Sequence, residues 1–258
     1  MTPEVSIIIP VFNEPSIIEE ALSDLERLRE EAAFEIIVVD GHPSRNTIRT
    51  IRNPGVRVLS GRKGRAAQMN RGGMAACGDI LLFLHADTRL PSGALSRILS
   101  AYRMKNVSGG SFDLGIRSGK KAFRLIEKMV YFRTRWTRIP YGDQAIFIAR
   151  RLFIDLGGYK DIPIMEDVDL MRRFRLKGHR IEIIPLPVST SARRWEKEGI
   201  VSCTLRNWML ALLFFLGMSP EKLKMYYEEA GEEEKTKGKR ERGKEGETTR
   251  RCGDRKTR

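Results

Sequence analysis

The sequence predicts an α/β fold with a mostly parallel central sheet flanked by helices. Two observations carry this expectation. Short apolar runs at Val5–Ile9, Ile36–Val39, Val56–Leu59 and Ile80–Leu84 have the length and flanks of strands buried on both faces. Segments of helical period lie between them, and strands alternating with helices need crossover connections and hence parallel pairing.

Each element has its own warrant. Val5–Ile9 is stopped by Pro10, and "SIIEEALSDLERLREE" then places Ile17, Ile18, Ala21, Leu22, Leu25 and Leu28 on one helical face. Ser16 and Glu19 have the spacing of a capping box, which puts the helix start near Pro15. "FEIIVVDG" is a second strand ending in Asp40, and Val56–Leu59 a short third. "GRKGRAAQMNRGGMAACG" is a helix opened by glycine, followed by the strand Ile80–Leu84 and its polar end His85-Ala86-Asp87-Thr88. Beyond Pro91 the pattern is mixed. "SGALSRILSAYRM" reads as a helix, "SGGSFDLGI" as an edge strand and "KKAFRLIEKMVYFRTRW" as a basic amphipathic helix. "AIFIARRLFIDLGGY" gives a strand and a short helix closed by Gly157-Gly158. "MEDVDLMRRFRLKGH" is a helix closed by Gly178, and "RIEIIPLPVST" a last strand.

Length and charge set the outer bounds. A chain of 258 residues with 41% apolar and 31% charged residues can bury a sizeable core. Of the net charge of +14, residues 231–258 supply +4, from eleven Lys/Arg and seven Asp/Glu. The rest of the chain is therefore basic in its own right, a field that favours phosphate-bearing ligands, anionic surfaces or nucleic acid. Residues 231–258 contain no aliphatic side chain and are expected to be a disordered charged tail. The expected organisation is a catalytic domain over 1–200, a helical extension over 201–230, packed on that domain or at a membrane surface, and the tail. Cys77, Cys203 and Cys252 are odd in number and widely spaced, which argues against a disulfide framework or a zinc site and fits the cytoplasm. The N-terminus lacks the pattern of a signal peptide, and the apolar run Trp208–Met218 is about half the ~20 residues that span a bilayer. That run is expected to pack on its own domain or on a dimer partner; the alternatives are membrane docking and a lipid-like acceptor.

Four clusters could carry chemistry. In open parallel sheets ligands bind at the carboxyl ends of strands, where Pro10–Glu14, Asp40 and His85–Asp87 stand. Acidic groups there can bond a nucleobase or ribose, or hold a divalent cation, although Asp and Asn also simply favour turns. Gly61–Gly72, with Arg62 and Arg65 at its head and Asn70 within the helix, suits a diphosphate at a helix N-terminus. It has neither the Walker ending nor the full dinucleotide-binding spacing. Glu166, Asp167 and Asp169 open a helix, where the dipole favours carboxylates and one of them can serve as general base. Arg193, Arg194 and Trp195 combine bidentate cations with a stacking ring.

Taken in order, "VSIIIPVFNE", "IIVVDG", "GRKGRAAQMNRGGMAACGDILLFLHADT", "MEDVDL" and "RRW" resemble the family 2 glycosyltransferases of GT-A fold, over roughly Val5–Trp195. The resemblance implies inverting transfer of a hexose from a UDP- or GDP-linked donor to a hydroxyl acceptor, lipid-like or otherwise, with Mg²⁺ or Mn²⁺. It implies Asp40 on the nucleobase, with Pro10, Val11 and Glu14 lining the same pocket. Asp87 corresponds to the last Asp of an Asp-x-Asp metal motif, Asp167 to the general base beside Glu166, and Arg194-Trp195 to the end of a Gln-x-x-Arg-Trp motif.

The chain also departs from the family pattern. His85 replaces the first Asp of Asp-x-Asp, leaving one carboxylate for the metal, and Mn²⁺ tolerates imidazole better than Mg²⁺ does. Arg45 stands where an acidic residue is expected, and Ser191 where processive synthases carry Gln. Single addition therefore fits better than polymer synthesis. The competing readings are a nucleotidyltransferase built on the same nucleotide and metal half-site, and a non-catalytic basic nucleic-acid-binding protein. Acidic strand ends repel nucleic acid, so no nucleic-acid partner is expected. Peripheral membrane contact and a homodimer are the partners left open.

Overall fold

The computed structural model describes residues 2–104 and 107–227; the expected tail over 231–258 lies outside the described residues. The chain divides into two compact units, Met1–Ala192 and Arg193–Arg258.

The first unit is built on a sheet of seven strands. They are β1 (Val5–Val11), β2 (Phe34–Asp40), β3 (Val56–Ser60), β4 (Ile80–Phe83), β5 (Gly109–Arg117), β6 (Ile146–Ala149) and β7 (Ile181–Ser191), in the order β3-β2-β1-β4-β6-β5-β7. The pairs β1–β2, β1–β4, β2–β3 and β5–β7 are parallel. Only β6 runs against its neighbours, with Phe83 of β4 opposite Ile146. Every residue of β1 and β4 is buried, as a doubly covered strand requires. The structure thus has the mixed, mostly parallel architecture of the GT-A fold.

Among the described residues this unit has six α-helices: α1 (Ile18–Glu26), α2 (Arg65–Ala75), α3 (Ala94–Met104), α4 (Lys121–Thr137), α5 (Arg150–Asp155) and α6 (Glu166–Leu176). Ile18, Ala21, Leu22 and Leu25 of α1 face the core, as their spacing requires. α2 lies close on the sheet because Gly72 permits it: a Cβ there would fall 2.4 Å from Ile8 Cγ2.

Two sequence expectations fail. The capping box does not form, since α1 begins after Ile17 with no side-chain cap. Glu19 instead accepts the backbone N–H of Arg52 at 2.9 Å, a long-range partner that the local motif cannot show. Gly109–Arg117 is also not an edge strand. It lies between β6 and β7, and β3 and β7 form the edges.

The second unit holds α7 (Arg193–Glu198) and α8 (Ile200–Phe215). Arg206, nearly buried, pairs with Glu198. Arg194 and Arg206 lie 4.8 and 4.9 Å from the centre of the Tyr227 ring. No described helix is long and apolar enough to cross a membrane.

Candidate active site

β1 has β2 on one side and β4 on the other, so the chain reverses its direction of travel across the sheet between β1 and β4. That reversal opens a crevice at their carboxyl ends. A cleft of about 270 Å³ lies there, lined at and just beyond the end of β1 by Pro10, Val11, Phe12 and Glu14 and after β4 by His85, Ala86 and Asp87. Arg65 and Gln68 of α2 close it. Gln68 is buried and donates to the carbonyls of Val11 (2.6 Å) and Val39 (2.8 Å), tying α2 to the ends of both β1 and β2. An interior amide with both carbonyls in reach is worth about 1 kcal/mol per bond, and more if one partner is left unmatched.

On the β4 side, burial and, second, the charge of Arg65 push the His85 imidazole down to about 3. The ring is therefore neutral and able to accept a hydrogen bond or bind a cation. Among the described residues no three His, Cys, Asp or Glu side chains are grouped to hold a metal. A cation here would rest on Asp87 and His85, with ligand oxygens and water filling its shell. The donor set, one carboxylate and one neutral imidazole, fits Mn²⁺.

Facing this cleft is a turn that the sequence did not single out. Gly142–Gln144 is one turn of 3-10 helix ahead of β6. Its Gln144 is fully buried and accepts from Arg133 (2.9 Å), Thr134 Oγ1 (3.2 Å) and the Tyr141 N–H (3.2 Å), while donating to the Phe112 carbonyl at 3.0 Å. The turn presents the Gly142 N–H to Asp167 Oδ2, and Asp167 Oδ1 accepts the N–H of Val168. A Cβ on residue 142 would meet Asp167 Oδ2 at 3.1 Å and His85 Nε2 at 3.2 Å, so any larger residue needs one of them to give by a few tenths of an ångström. His85 and Asp167, 82 residues apart in sequence, thus meet across one glycine.

Asp143, in the same turn, is a residue that sequence reasoning did not single out. Its Oδ1 is shut off from solvent and has no hydrogen-bond partner. Burial pushes its carboxyl up to about 6; Asp167 and Asp87 add to the rise, and Arg133 and Arg65 oppose it. The Arg133 guanidinium stacks 3.6 Å from the centre of the Tyr141 ring. The only signal was a Gly-Asp pair just before an apolar run, which reads as an ordinary turn. Glu166 is buried at the start of α6, and burial, followed by the charge of Asp167, pushes it up to about 7. Two neighbouring residues have left-handed backbone: Ala145 at φ 50° and Met165 at φ 65°. Such strain in residues other than glycine concentrates at functional turns.

Not every expected residue reaches the cleft. Pro10, Val11, Glu14, Arg65, His85 and Asp87 line it. Asp40 is buried at the end of β2, and its carboxylate accepts the N–H groups of His42 (2.8 Å), Thr47 (3.1 Å) and Ile48 (3.2 Å), organising the loop beside the cleft. Arg62 points outward and pairs with Asp161 at 2.8 Å. Asn70 makes two 2.8 Å bonds to the backbone of Tyr159, a brace between α2 and the loop after α5. Asp169 is held by Lys160 (2.9 Å) and Arg173 (2.6 Å). Arg194 and Trp195 belong to the second unit.

Comparison with known proteins agrees with this architecture. The family model described as glycosyl transferase family 2 matches residues 6–159, more than half of the chain. An uncharacterized protein, MT1568 of Mycobacterium tuberculosis (strain CDC 1551 / Oshkosh), is 28% identical over 221 residues, covering 74% of this chain and 67% of that protein. The probable glycosyltransferase YdaM of Bacillus subtilis (strain 168) is 24% identical over 220 residues, covering 76% and 51%. Among solved structures, the mannosyltransferase PcManGT from Pyrobaculum calidifontis, in complex with GDP-Man and Mn²⁺, has a TM-score of 0.55 at 19% identity, covering 74% of this chain and 57% of that one. TarS 1-349 of S. aureus has a TM-score of 0.57 at 17% identity, covering 73% and 60%. The same protein in complex with UDP-GlcNAc has a TM-score of 0.56 at 16% identity, covering 73% and 58%. The chain spans between half and two thirds of the length of these relatives, and the structural likeness at such identities establishes the fold.

Proposed function

The chain belongs to glycosyl transferase family 2, and on that premise we propose that it moves a hexose from a UDP- or GDP-linked donor to a hydroxyl acceptor, with inversion at the anomeric carbon. The observation that carries this reading is the meeting of His85 with Asp167 at Gly142. It sets the candidate metal side and the candidate base side of a displacement against one another. PcManGT with GDP-Man and Mn²⁺ and TarS with UDP-GlcNAc support the donor class and the divalent metal.

In the proposed reaction the nucleoside diphosphate lies along the turn after β1. Arg65, in the first turn of α2, faces its phosphates with a fixed charge, helped by the N–H groups at that helix end. Asp87 and the neutral His85 would hold a divalent cation, which when bound would supply positive charge to the departing diphosphate. Asp167 takes the proton of the acceptor hydroxyl, and the Gly142 N–H fixes its orientation. Burial, and then the charge of Asp167, raise the neighbouring Glu166 to about 7. One hydroxyl oxygen attacks and one phosphate oxygen leaves from opposite faces, so a single displacement inverts the anomeric centre. Asp40 shapes the nucleobase end through the loop it organises. We place the protein in the cytoplasm, a setting that suits the free thiols Cys77 and Cys203.

The test is incubation with UDP- and GDP-hexoses under Mn²⁺, Mg²⁺ or chelator, scoring the released nucleotide. Metal-dependent release of the nucleoside diphosphate is expected. Release of hexose 1-phosphate, the leaving group when the nucleotidyl group is transferred, points to a nucleotidyltransferase instead, and no release from any donor overturns the reading.

A further inference from the structure

Helix α4 leaves one apolar face exposed among the described residues. Leu125 is 60% exposed, Phe132 68% and Trp136 88%, and Met129 between them is half-buried. At about 100° per residue these four fall within roughly 60° of the helix circumference. Phe123, Ile126, Val130 and Thr134 occupy the opposite side and are buried, so the open stripe is not frayed structure. Lys121 and Lys128 border the stripe and are exposed. From Lys120 to Arg138 the chain carries seven Lys/Arg and one Glu, a net charge of +6.

We propose that this face docks on an anionic lipid surface. A helix with an aromatic and aliphatic row bordered by cations lies in the plane of a membrane interface, its apolar side chains among the acyl chains and its cations at the headgroups. Trp and Phe suit that boundary because their rings tolerate an apolar body beside a wet edge. The other occupants meet physical obstacles. A second copy related by a two-fold axis sets the same patch on itself, bringing one +6 helix against another. Residues 228–258 offer no aliphatic or aromatic side chain beyond one alanine to cover Phe132 and Trp136. Nucleic acid explains the cations, but not Leu125 and Met129 at the centre of the row.

The position of α4 gives the docking a consequence. Its last turns hold Arg133 and Thr134, both bonded to Gln144, and the chain runs on to Gly142, whose N–H meets Asp167. A bilayer under α4 thus lies beside the turn that orients the candidate base. This deepens the proposed reaction by assigning it an acceptor anchored in lipid, and to that extent rests on it.

The experiment uses the full chain with vesicles of phosphatidylcholine, with and without phosphatidylglycerol. Sedimentation with the anionic vesicles is expected, weakening as salt rises. F132S/W136S lowers that binding about tenfold or more, with an unchanged melting temperature and unchanged metal-dependent nucleotide release from donor in water. K121E/K128E removes the preference for phosphatidylglycerol. Quenching of tryptophan fluorescence by brominated lipid is expected, reduced in W136F. Vesicle binding by F132S/W136S at the level of the parent protein overturns the proposal. So does loss of binding in the α8 variant L205S/L212S alone, or conversion of a dimer to a monomer by F132S/W136S without any vesicle binding. Competition by duplex DNA that F132S/W136S abolishes overturns it in favour of nucleic acid. Vesicle binding without turnover of any donor leaves the docking standing and sinks only the reaction.

Discussion

The two sides of the cleft are assembled in different ways. The β1/β4 side takes its residues from where two neighbouring parallel strands stop, so that Pro10–Glu14 and His85–Asp87 follow directly from the runs that precede them. The opposite side is gathered from far apart: Gly142–Gln144 ahead of β6, Arg133 from α4, and Glu166 and Asp167 from the first turn of α6. The first side is held by the backbone ladder. The second is held by a buried glutamine, one backbone N–H and a glycine whose added Cβ would crowd both Asp167 and His85. Strand ends tolerate substitution of their side chains as long as the strands remain, whereas a side built on individual contacts fails contact by contact.

The sharpest way to separate the two sides is Asp167→Asn. Loss of the general base is expected to lower transfer by about 10³-fold, while nucleotide binding, measured by calorimetry, stays at the parent level. Normal transfer by this variant would remove Asp167 from its role. Asp87→Ala attacks the other side. Metal-stimulated nucleotide release is expected to fall by about 10²-fold, with the response to added Mn²⁺ abolished, since charge on the departing diphosphate is worth several kcal/mol. A Mn²⁺ response equal to that of the parent excludes Asp87 as a ligand.

Gly142→Ala tests the contact between the sides. The added methyl would lie 3.1 Å from Asp167 Oδ2 and 3.2 Å from His85 Nε2, so one of them must shift by a few tenths of an ångström, and that misplacement is expected to lower kcat about tenfold. A parent-like kcat shows that the turn yields freely. The smallest effect is expected from Asp143→Asn, read in stability. The Asp143 carboxyl, raised from 3.8 to about 6, is protonated in the folded state where the unfolded chain is already ionised. Its contribution is therefore fully present below pH ~4 and is lost as pH rises through about 6. The variant is expected to melt above the parent protein at pH 8, by a few °C at ~1 kcal/mol, with the difference closing towards pH 4. A constant difference across that range discounts the buried charge.

The same contrast explains what could be read from the sequence. Periodicity and strand ends gave the sheet, the helices and six of the residues that line the cleft, because those signals are local. Asp40, Arg62 and Asn70 are expected from the sequence to bind the nucleotide sugar, because they stand at a strand end or about a helix start. Their partners, the His42, Thr47 and Ile48 N–H groups, Asp161 and the backbone of Tyr159, lie up to 99 residues away and are set by packing. The capping box failed for the same reason, because Glu19 found Arg52 across space. Gln68 and Asp143 carried no motif, since an amide within a helix and a Gly-Asp turn are common in any protein.

One feature of the sheet reaches beyond this reaction. In an all-parallel sheet only segments that follow a strand arrive at the carboxyl edge. The reversed β6 lets a segment that precedes a strand arrive there too, with Ile146 beside Phe83 and Gly142–Gln144 just ahead of it. The two sides of the cleft are thereby wired to separate stretches of chain. A change of length or sequence in α4 can reshape what approaches Asp167 while β1 and β4 keep their register. The reversed strand makes this scaffold modular: one nucleotide-handling half can be retained while the half opposite is exchanged by local variation.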